Sequence, residues 1–596
     1  MLNDDLEHAR RYHETTKHSE FSVRMSHHYV DWEDRPRPFK VYADLPSIPL
    51  PQDFPSPESN PLYCISSSDN NPGIEKQEPY NKRQGTLLNI DSLAEILFFS
   101  AGITRKIKHG SDTYYMRAAS ATGALYPIEL YIVSGAMPGL NAGVYHFCPA
   151  DFSLDSIRTG DHTNYLEAAF GEQSKSGLAS ATGATSPIAI VFTSVAWRNA
   201  WKYSLRSYRH WFWDAGVIAA NLLAVTSSMQ IHSKLRLGFI DSAIDQLLCL
   251  ENEKEATVAI ATLDSGTTSM HGVDGNKKKQ NVNLQKIESK HTPILPLSRK
   301  EYDLPQIWNV HRASALTSAE QVMAWIGSYY HSKPARKAAE QKDGGNDEGA
   351  EMRSYQLSLQ NLKSEDGAGP IQRAQISSLG DVILQRGSTR QFARTAISFD
   401  QLSTILWCST RGVPLDFLKT GDSLIDIYFV ANAVDDLKPG GYFFDRSNCI
   451  LRQLGRSGQK GDGIDELAAR YDAAYLCLEQ QLFGDAAVVF FLMANLDEVL
   501  QSLGNRGYRC AQFEAGVIAG KLYLASYAMG IGASGSTFYD DAVTEYFSPH
   551  ASTKDTMVAV GVGYPAYQAH KGKRLTGILA KDQLISMYST GTHGTA

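Results

Sequence analysis

Apolar positions are concentrated in two blocks, about residues 80–264 and 370–590, and the chain between and before them is more polar. Short runs of branched and aromatic residues at 188–193 and 486–492 predict buried strands. The apolar stretches that follow Asp214 and Glu514 are too long for strands and predict long helices. Each block mixes helices with strands, so the pattern predicts an α+β fold of the three-layer class, formed twice.

Proline, glycine and charge divide the rest of the chain. Residues 1–79 include six prolines between Pro46 and Pro61 and predict an extended arm. Residues 265–369 predict a linker, polar at both ends, with one amphipathic helix near 314–330. The predicted division is therefore an arm at 1–79, a first copy at 80–264, this linker, and a second copy at 370–596.

The two blocks are diverged repeats of one unit. Residues 214–221 (DAGVIAAN) match residues 514–521 (EAGVIAGK) at an offset of 300, and three shorter landmarks match in the same order. One landmark pairs the segments that begin at Ile90 and Phe399, in which Asp91 and Asp400 are expected to cap helices.

Composition excludes several functions. The net charge of −7 argues against binding nucleic acid through a basic surface. No apolar run reaches 18 residues, and the charged N-terminus is unlike a signal peptide, so neither a membrane span nor export is expected. The seven cysteines form no C-x-x-C pair, so neither a metal site nor a disulfide framework is expected, and a cytoplasmic location is the default.

Three segments carry candidate chemistry. Arg386, Ser388 and Arg390 alternate, so an extended segment would turn two cations and a hydroxyl to one ligand; a solvated basic edge explains them equally well. The small residues of 117–127 and of 529–538 would let a flat or anionic ligand approach the backbone, although ordinary tight turns share this composition. Lys573 and Arg574 add charge near the C-terminus, or form a plain basic surface.

Taken together, these segments resemble the FMN-dependent nitroreductase-fold superfamily, and within it the SagB/ThcOx-type dehydrogenases. The resemblance rests on the ordered set of the arm segment 12–19, the loop 117–127, the segment 143–147 and the Arg-x-Ser-x-Arg-x-Phe opening at 386–392. It implies a mostly antiparallel central sheet flanked by helices, bound FMN, and oxidation of azolines to azoles in modified peptides. It also implies a catalytic Lys-Tyr pair, which Lys202 and Tyr203 match in place and context.

The resemblance assigns roles to further residues. Removal of two hydrogens needs a hydride acceptor and a base, which FMN and Lys202 or Tyr203 would provide. Asp214 is expected to be a buried acid rather than a catalyst. The residues expected to hold FMN are Arg386, Ser388, Arg390, Ala119, Ser120, Gly123, Asn221, Ser534, Gly535, Ser536, Thr537, Lys573 and Arg574.

The copies have lost these features in a complementary way. Repeat alignment places Gln77, Pro79 and Asn81 opposite the Arg-x-Ser-x-Arg opening, and Ser502 and Leu503 opposite the Lys-Tyr pair. The superfamily binds FMN between the subunits of a homodimer, where two-fold symmetry gives two equal sites. We therefore expect a homodimer fused into one chain, with one composite site kept and the other filled by side chains such as Phe417 and Gln230.

Three functions remain open. The leading one is an FMN-dependent dehydrogenase acting on a heterocycle, or a related C–N bond, in a peptide or small molecule. The second is an NAD(P)H-dependent nitro or quinone reductase, and the third is a flavin-free scaffold that docks a biosynthetic cyclase. The chain is expected to act as a monomeric pseudodimer or a higher oligomer.

Overall fold

Two seven-stranded sheets form the frame of the computed structural model. The structure describes residues 2–67, 88–110, 112–172, 188–264, 284, 287–340, 353–358, 375–376, 378–455 and 465–589. The first sheet has the order β1-β6-β5-β4-β7-β9-β8 and the second β10-β13-β12-β11-β14-β16-β15. A separate hairpin pairs β2 with β3.

All paired strands run antiparallel. The strands are β1 Ser47–Pro49, β2 Ile103–His109, β3 Asp112–Arg117, β4 Ile128–Ser134, β5 Gly143–Cys148, β6 Ser153–Thr159, β7 Ile188–Val195, β8 His232–Arg236, β9 Glu255–Asp264, β10 Ser354–Gln356, β11 Asp426–Ala431, β12 Gly440–Asp445, β13 Ile450–Gln453, β14 Val488–Ala494, β15 Gly532–Ser536 and β16 Asp555–Gly563.

Helices cover the sheets and join the copies. They are α1 Glu7–Thr15, α2 Glu20–Arg24, α3 Pro61–Ser66, α4 Ile90–Ala101, α5 Thr163–Ala169, α6 Ala196–Tyr203, α7 Ser207–Ser228, α8 Asp241–Leu247, α9 Pro305–Ala313, α10 Ala319–Glu340, α11 Leu379–Gln385, α12 Phe399–Ser409, α13 Glu466–Leu476, α14 Gln481–Asp485, α15 Leu496–Leu503, α16 Arg506–Ala528, α17 Asp540–Tyr546 and α18 Lys581–Ser589.

The two sheets have one topology, since each strand of the first sheet has a counterpart at the same place in the second. The central strands β7 and β14 are buried along their whole length, which explains their continuous apolar sequences. The prediction of two tandem α+β copies with a central antiparallel sheet and flanking helices is confirmed. The domain boundaries stay predictions.

The repeated motif marks the place where the copies cross. Helices α7 and α16 pack against each other at Gly216 and Gly516. A Cβ at Gly216 would lie 2.6 Å from the backbone carbon of Gly516, and one at Gly516 would lie 2.7 Å from the carbonyl oxygen of Trp213. Only a residue without a side chain permits this approach, so the matching glycines reflect helix packing.

Two buried clusters of charge hold the copies together. Asp540 of the second copy accepts hydrogen bonds from Arg206 at 2.9 Å and Arg209 at 2.7 Å in the first. In the reverse direction, Asp241 accepts from Arg506 at 2.6 Å and from Arg509 at 2.5 Å. These clusters are related by the same repeat, and both are buried, so loss of either partner would leave an unpaired buried charge.

The arm and the linker are more structured than their composition predicts. Strand β1, inside the predicted arm, pairs with β6 at the edge of the first sheet, and β10, inside the predicted linker, pairs with β13 in the second. The linker holds two helices, α9 and α10, rather than the one expected near 314–330. The prediction missed α9, which begins at Pro305, a residue favoured in a helix's first turn.

The predicted helix caps were also wrong by two residues. Asn89 caps α4 and Ser398 caps α12, each with a reciprocal bond to the residue three positions on. Asp91 and Asp400 lie in the first turns instead, where the helix dipole stabilises a negative charge.

Among the described helices, none is both long enough and apolar enough to cross a membrane.

Candidate functional site

One large cavity, about 1190 Å³, lies between the two copies. The first copy contributes the hairpin β2–β3, the loop at 120–126, the end of α6, and α7. The second contributes the segment 385–390, helix α16, strand β15 and the segment 567–575. The cavity exceeds the roughly 300–1,000 Å³ of pockets for drug-sized ligands, so it has room for a cofactor together with a second molecule.

The Arg-x-Ser-x-Arg opening lines this cavity, as expected, but its two arginines differ. The buried Arg386 guanidinium donates to the carbonyl oxygens of Arg117 and Ala118 across the copy interface, both at 2.8 Å. The Ser388 hydroxyl lies 3.5 Å from the hydroxyl of Tyr523. Arg390 is exposed and, among the described residues, has no side-chain hydrogen bond or ion pair. Of the two arginines, Arg390 therefore keeps its donors available to a ligand.

Strand β15 and the next residue form a second wall. Ser534, Gly535, Ser536 and Thr537 all line the cavity. The Gly535 amide donates to the Tyr523 hydroxyl at 2.5 Å, which fixes the strand against α16. The Thr537 hydroxyl is buried and has no hydrogen-bond partner within the described parts of the chain. Because an unsatisfied buried hydroxyl costs free energy, it marks a place for a ligand acceptor or donor.

The loop of the first copy is held by Asp214. Its carboxylate accepts hydrogen bonds from the Thr122 amide at 2.9 Å and the Thr122 hydroxyl at 2.8 Å. Ser120 and Gly123 line the main cavity, and Ala119 lines a small void beside it. Burial raises the pKa of Asp214 to about 7, opposed by the bonds from Thr122 and Asn199. Asp214 is thus the buried acid that was expected, and it also reaches the cavity.

Tyr203 fits closely against this loop. Gly123 has a φ of +63°, and a Cβ there would lie 2.6 Å from the Tyr203 hydroxyl. Position 123 therefore needs glycine both for its backbone conformation and for space. On its other side, the Tyr203 ring meets the ring of His210 edge-on, with centroids 4.7 Å apart.

The pKa values of Lys202 and Tyr203 move in opposite directions. Burial, followed by the positive charges of Arg35 and Arg390, lowers the pKa of Lys202. Burial, followed by the Asp214 carboxylate, raises the pKa of Tyr203 to about 12. Near neutral pH, Tyr203 is therefore a proton-bearing hydroxyl, whereas Lys202 is the group shifted toward a neutral amine.

Two predicted cofactor residues lie elsewhere. The Asn221 side chain is fully buried and donates to the carbonyls of Phe99 and Ala118 at 3.0 and 3.1 Å, outside the cavity lining. Arg574 also lies outside that lining: it stacks 4.0 Å from the Phe54 ring and donates to the Phe54 carbonyl at 2.7 Å. Both side chains donate hydrogen bonds to backbone carbonyls of segments that are distant in sequence. Lys573 does line the cavity.

In the region related to this site by the repeat, the described side chains that can be compared are engaged with other parts of the chain. The Asp416 carboxylate accepts from the amides of Leu237 and Gly238 at 3.0 and 2.9 Å. Phe417 is fully buried, with its ring 5.3 Å from that of Trp325 on α10. The expectation for Gln230 was wrong, since this residue is exposed, in a left-handed turn. Gln77, Pro79 and Asn81 lie outside the described residues.

Several lining residues were not predicted. Arg105 donates to the carbonyls of Leu384 and Arg386, both at 2.8 Å, and so fixes the opening from the opposite copy. Tyr523 and Tyr527 of α16 also line the cavity. Their spacing of four places them on one helix face, a signal that was available in the sequence. No comparable sequence pattern indicated the role of Arg105.

Comparisons with known proteins agree with this architecture. The Nitroreductase family model matches residues 445–564, which lie within the second copy. A crystal structure from Anabaena variabilis, described as that of a nitroreductase, superposes with a TM-score of 0.66 at 22% identity, covering 94% of this chain and 99% of its own. That likeness shows that the fold extends over both copies.

Two curated proteins are similar over a shorter stretch. One is MJ1384 of Methanocaldococcus jannaschii, described as a nitroreductase, which is 26% identical over 174 residues, covering 28% of this chain and 82% of its own. The other is the trifolitoxin-processing protein TfxB of Rhizobium leguminosarum bv. trifolii, 26% identical over 167 residues. That match covers 28% of this chain and 44% of TfxB, so the two chains share less than half of the relative's length.

Proposed function

We propose that this chain is an FMN-dependent dehydrogenase of the SagB type, which oxidises a peptide-derived heterocycle from azoline to azole, or a related C–N bond. The observation that carries the proposal is the shared cavity. It brings Lys202 and Tyr203 of one copy together with Arg390 and Ser388 of the other. The residues proposed as base and as anion-binding segment therefore line one cavity, which supports the proposal.

The lining residues fit FMN in charge and in shape. The side chains of Arg390, Lys573 and Ser388 would bind the polar groups of FMN. Both Arg390 and Lys573 are available for this, since no described carboxylate pairs with either of them. The unpartnered Thr537 hydroxyl offers a further hydrogen bond, and Gly535 leaves the wall of β15 open to a flat ring. Bound FMN would supply a two-electron acceptor for hydride.

The shifts in pKa suit Lys202 and Tyr203 to different roles in the reaction. Oxidation of an azoline removes one hydride and one proton, so the protein must accept the proton. Lys202 Nζ is suited to this step, because burial and neighbouring cations favour its neutral form. Tyr203 keeps its proton near neutral pH, so its hydroxyl would orient the substrate by donating a hydrogen bond.

The difference between the copies supports one site per chain. In the related region, Phe417 packs against Trp325 and Asp416 binds the Leu237 amide. We therefore propose one composite FMN per chain, in a monomeric pseudodimer or a higher oligomer acting in the cytoplasm. A peptide substrate is supported by the similarity to a trifolitoxin-processing protein, and a cyclase is the partner that we propose with it.

The main alternative is an NAD(P)H-dependent nitro or quinone reductase. It would use the same cavity but needs no base beside the flavin, so it leaves Lys202 without a role. A flavin-free scaffold would leave the cationic wall and the Thr537 hydroxyl without a ligand.

The test is flavin quantitation together with two assays. We expect one FMN per 65.7 kDa chain. Lys202→Ala should lower azoline oxidation by about 10²–10⁴-fold, the usual contribution of a general base, while quinone reduction persists. The exposed Lys254, replaced by alanine, is the matched control. Two FMN per chain would contradict the single site, equal losses in both assays would contradict the base, and failure to load FMN would favour the scaffold.

A further inference from the structure

Exposed large apolar side chains cluster near the cavity. Eleven such side chains are exposed in the described part of the chain, and six of them lie on residues 21–32 of the arm and on α13. We call these six the aromatic strip. They are Phe21, Met25, Tyr29, Trp32, Leu467 and Tyr471. Their exposed fractions run from 54% at Met25 to 83% at Tyr29, and a concentration of this kind marks an interaction surface.

The arm and α13 touch beside the strip. The Tyr475 hydroxyl donates to Glu20 at 2.8 Å, and Arg24 pairs with Glu479 at 3.2 Å. Leu467, Tyr471 and Tyr475 are spaced by four and share one helix face. The arm thus contacts this helix at Tyr475, one turn from the exposed Tyr471.

One end of the strip lies at the catalytic pair. The Trp32 ring meets the ring of Trp201 edge-on at 5.2 Å, and Lys202 Nζ lies 5.8 Å from the centre of the Trp32 ring. His18, just before the strip, and Gln480, just after α13, both line the cavity. A chain lying on the strip would thus enter the cavity beside Lys202.

The arm is held in place at this end. The Trp201 indole donates to the carbonyl of Asp31 at 2.9 Å. The carboxylate of Asp34 accepts from the amides of Arg299 and Lys300 at 2.7 and 2.9 Å. Exposed rings on a fixed segment bind with less loss of conformational entropy than rings on a mobile one.

We propose that the aromatic strip binds the segment of the peptide substrate that adjoins the reacting heterocycle, and that this segment carries apolar and aromatic side chains. The proposal rests on the proposed function. Continuity with the cavity favours the substrate over a second copy of the chain or a cyclase. The charged neighbours Arg24 and Glu479 pair with each other, so the strip favours apolar rather than acidic or basic segments.

The experiment compares thiazoline probes with flavin-loaded protein. A short probe carries the capped ring alone. Longer probes add, on either side of the ring, an apolar and aromatic extension or a Gly/Ser extension of equal length, about 20 Å for six extended residues. We expect one apolar extension to lower KM about tenfold, the gain from a few well-packed anchors, and the Gly/Ser extensions to leave it unchanged.

A matched pair of variants tests the location. Met25→Ser with Tyr471→Ser should abolish the tenfold gain and leave the short probe's kcat, KM and flavin content unchanged. Met323→Ser with Tyr302→Ser should keep the gain, since these residues have similar exposures of 48% and 68% but lie off the strip.

The proposal is overturned if the strip variant keeps the gain, or if it instead changes the chain's sedimentation mass, which would make the strip a contact between copies. If the short probe is not oxidised at all, the proposed function fails. Binding of a labelled apolar peptide to both double variants, measured by fluorescence anisotropy, then tests separately whether the strip binds peptide.

Discussion

The crossing of α7 and α16 offers a direct test of how the site depends on the join between copies. Gly216→Ala would place a Cβ 2.6 Å from the backbone carbon of Gly516, the carbonyl oxygen of Phe513 and the amide nitrogen of Val517. Ordinary contacts of this type need about 3.5 Å. Because all three atoms belong to the backbone of α16, none can rotate away, and the helices must separate by nearly 1 Å.

The expected cost follows from two opposing effects. Overpacking that moves backbone typically costs about 1–3 kcal/mol, and a rigid backbone neighbour puts Gly216→Ala at the upper end. The higher helix propensity of alanine returns about 1 kcal/mol. We therefore expect a net loss of about 2 kcal/mol in the free energy of unfolding.

The same displacement should reach the cavity. Asp214 and Val217 line it from α7, and Tyr523 and Tyr527 line it from α16. Separation of the helices moves these two walls apart, so FMN affinity should fall together with stability. The assay is denaturant unfolding of the flavin-free chain, with FMN titration of the folded variant.

Gly327→Ala is the matched control. Gly327 lies inside α10, and a Cβ there would meet no atom within 4 Å. We expect this variant to gain about 1 kcal/mol from helix propensity and to bind FMN normally. If Gly216→Ala is as stable as the native chain and loads FMN equally well, then the close crossing neither limits stability nor sets the cavity.

Three further changes test single groups. Burial lowers the pKa of Lys521 from 10.5 to about 7, so between these values the unfolded chain binds a proton that the folded chain lacks. Relative to Lys521→Met, the native free energy of unfolding should therefore rise by about 2 kcal/mol from pH 7 to 9, and parallel urea-unfolding profiles would refute this. The pKa of Asp214 is raised from 3.8 to about 7, so native stability should fall by about 3 kcal/mol relative to Asp214→Asn between pH 4 and 7, whereas a constant difference in urea unfolding would place its pKa near the ordinary value. Thr537→Val should raise the Kd for FMN about fivefold by removing one ligand hydrogen bond, measured by titration; Thr556→Val, another buried hydroxyl without a partner in the described chain but outside the cavity, should leave that Kd unchanged.

Local pattern accounts for the parts of the fold that were predictable. Apolar runs at β7 and β14 are buried on both faces, and such strands read as continuous apolar sequence. The matching glycines of α7 and α16 are visible as a repeat because both copies need the same close crossing. The opening at 386–390 was recognisable because its three side chains are close in sequence and share one cavity.

Contacts between distant segments account for the errors. Asn221 and Arg574 are polar residues near motif positions, yet each is used by carbonyls far away in sequence. Asp91 and Asp400 are good capping residues, but Asn89 and Ser398 form the reciprocal caps. Side-chain type alone does not decide which of two nearby polar groups reaches the backbone.

The two copies differ where a ligand would bind and agree where they hold each other. The Arg206–Arg209–Asp540 cluster and its counterpart at Asp241 are both intact, because each carries buried charges that need partners. In a homodimer a substitution alters both equivalent sites at once. In one chain the sites can change separately, so Phe417 can pack against Trp325 in one region while Gly123 leaves room for Tyr203 in the other.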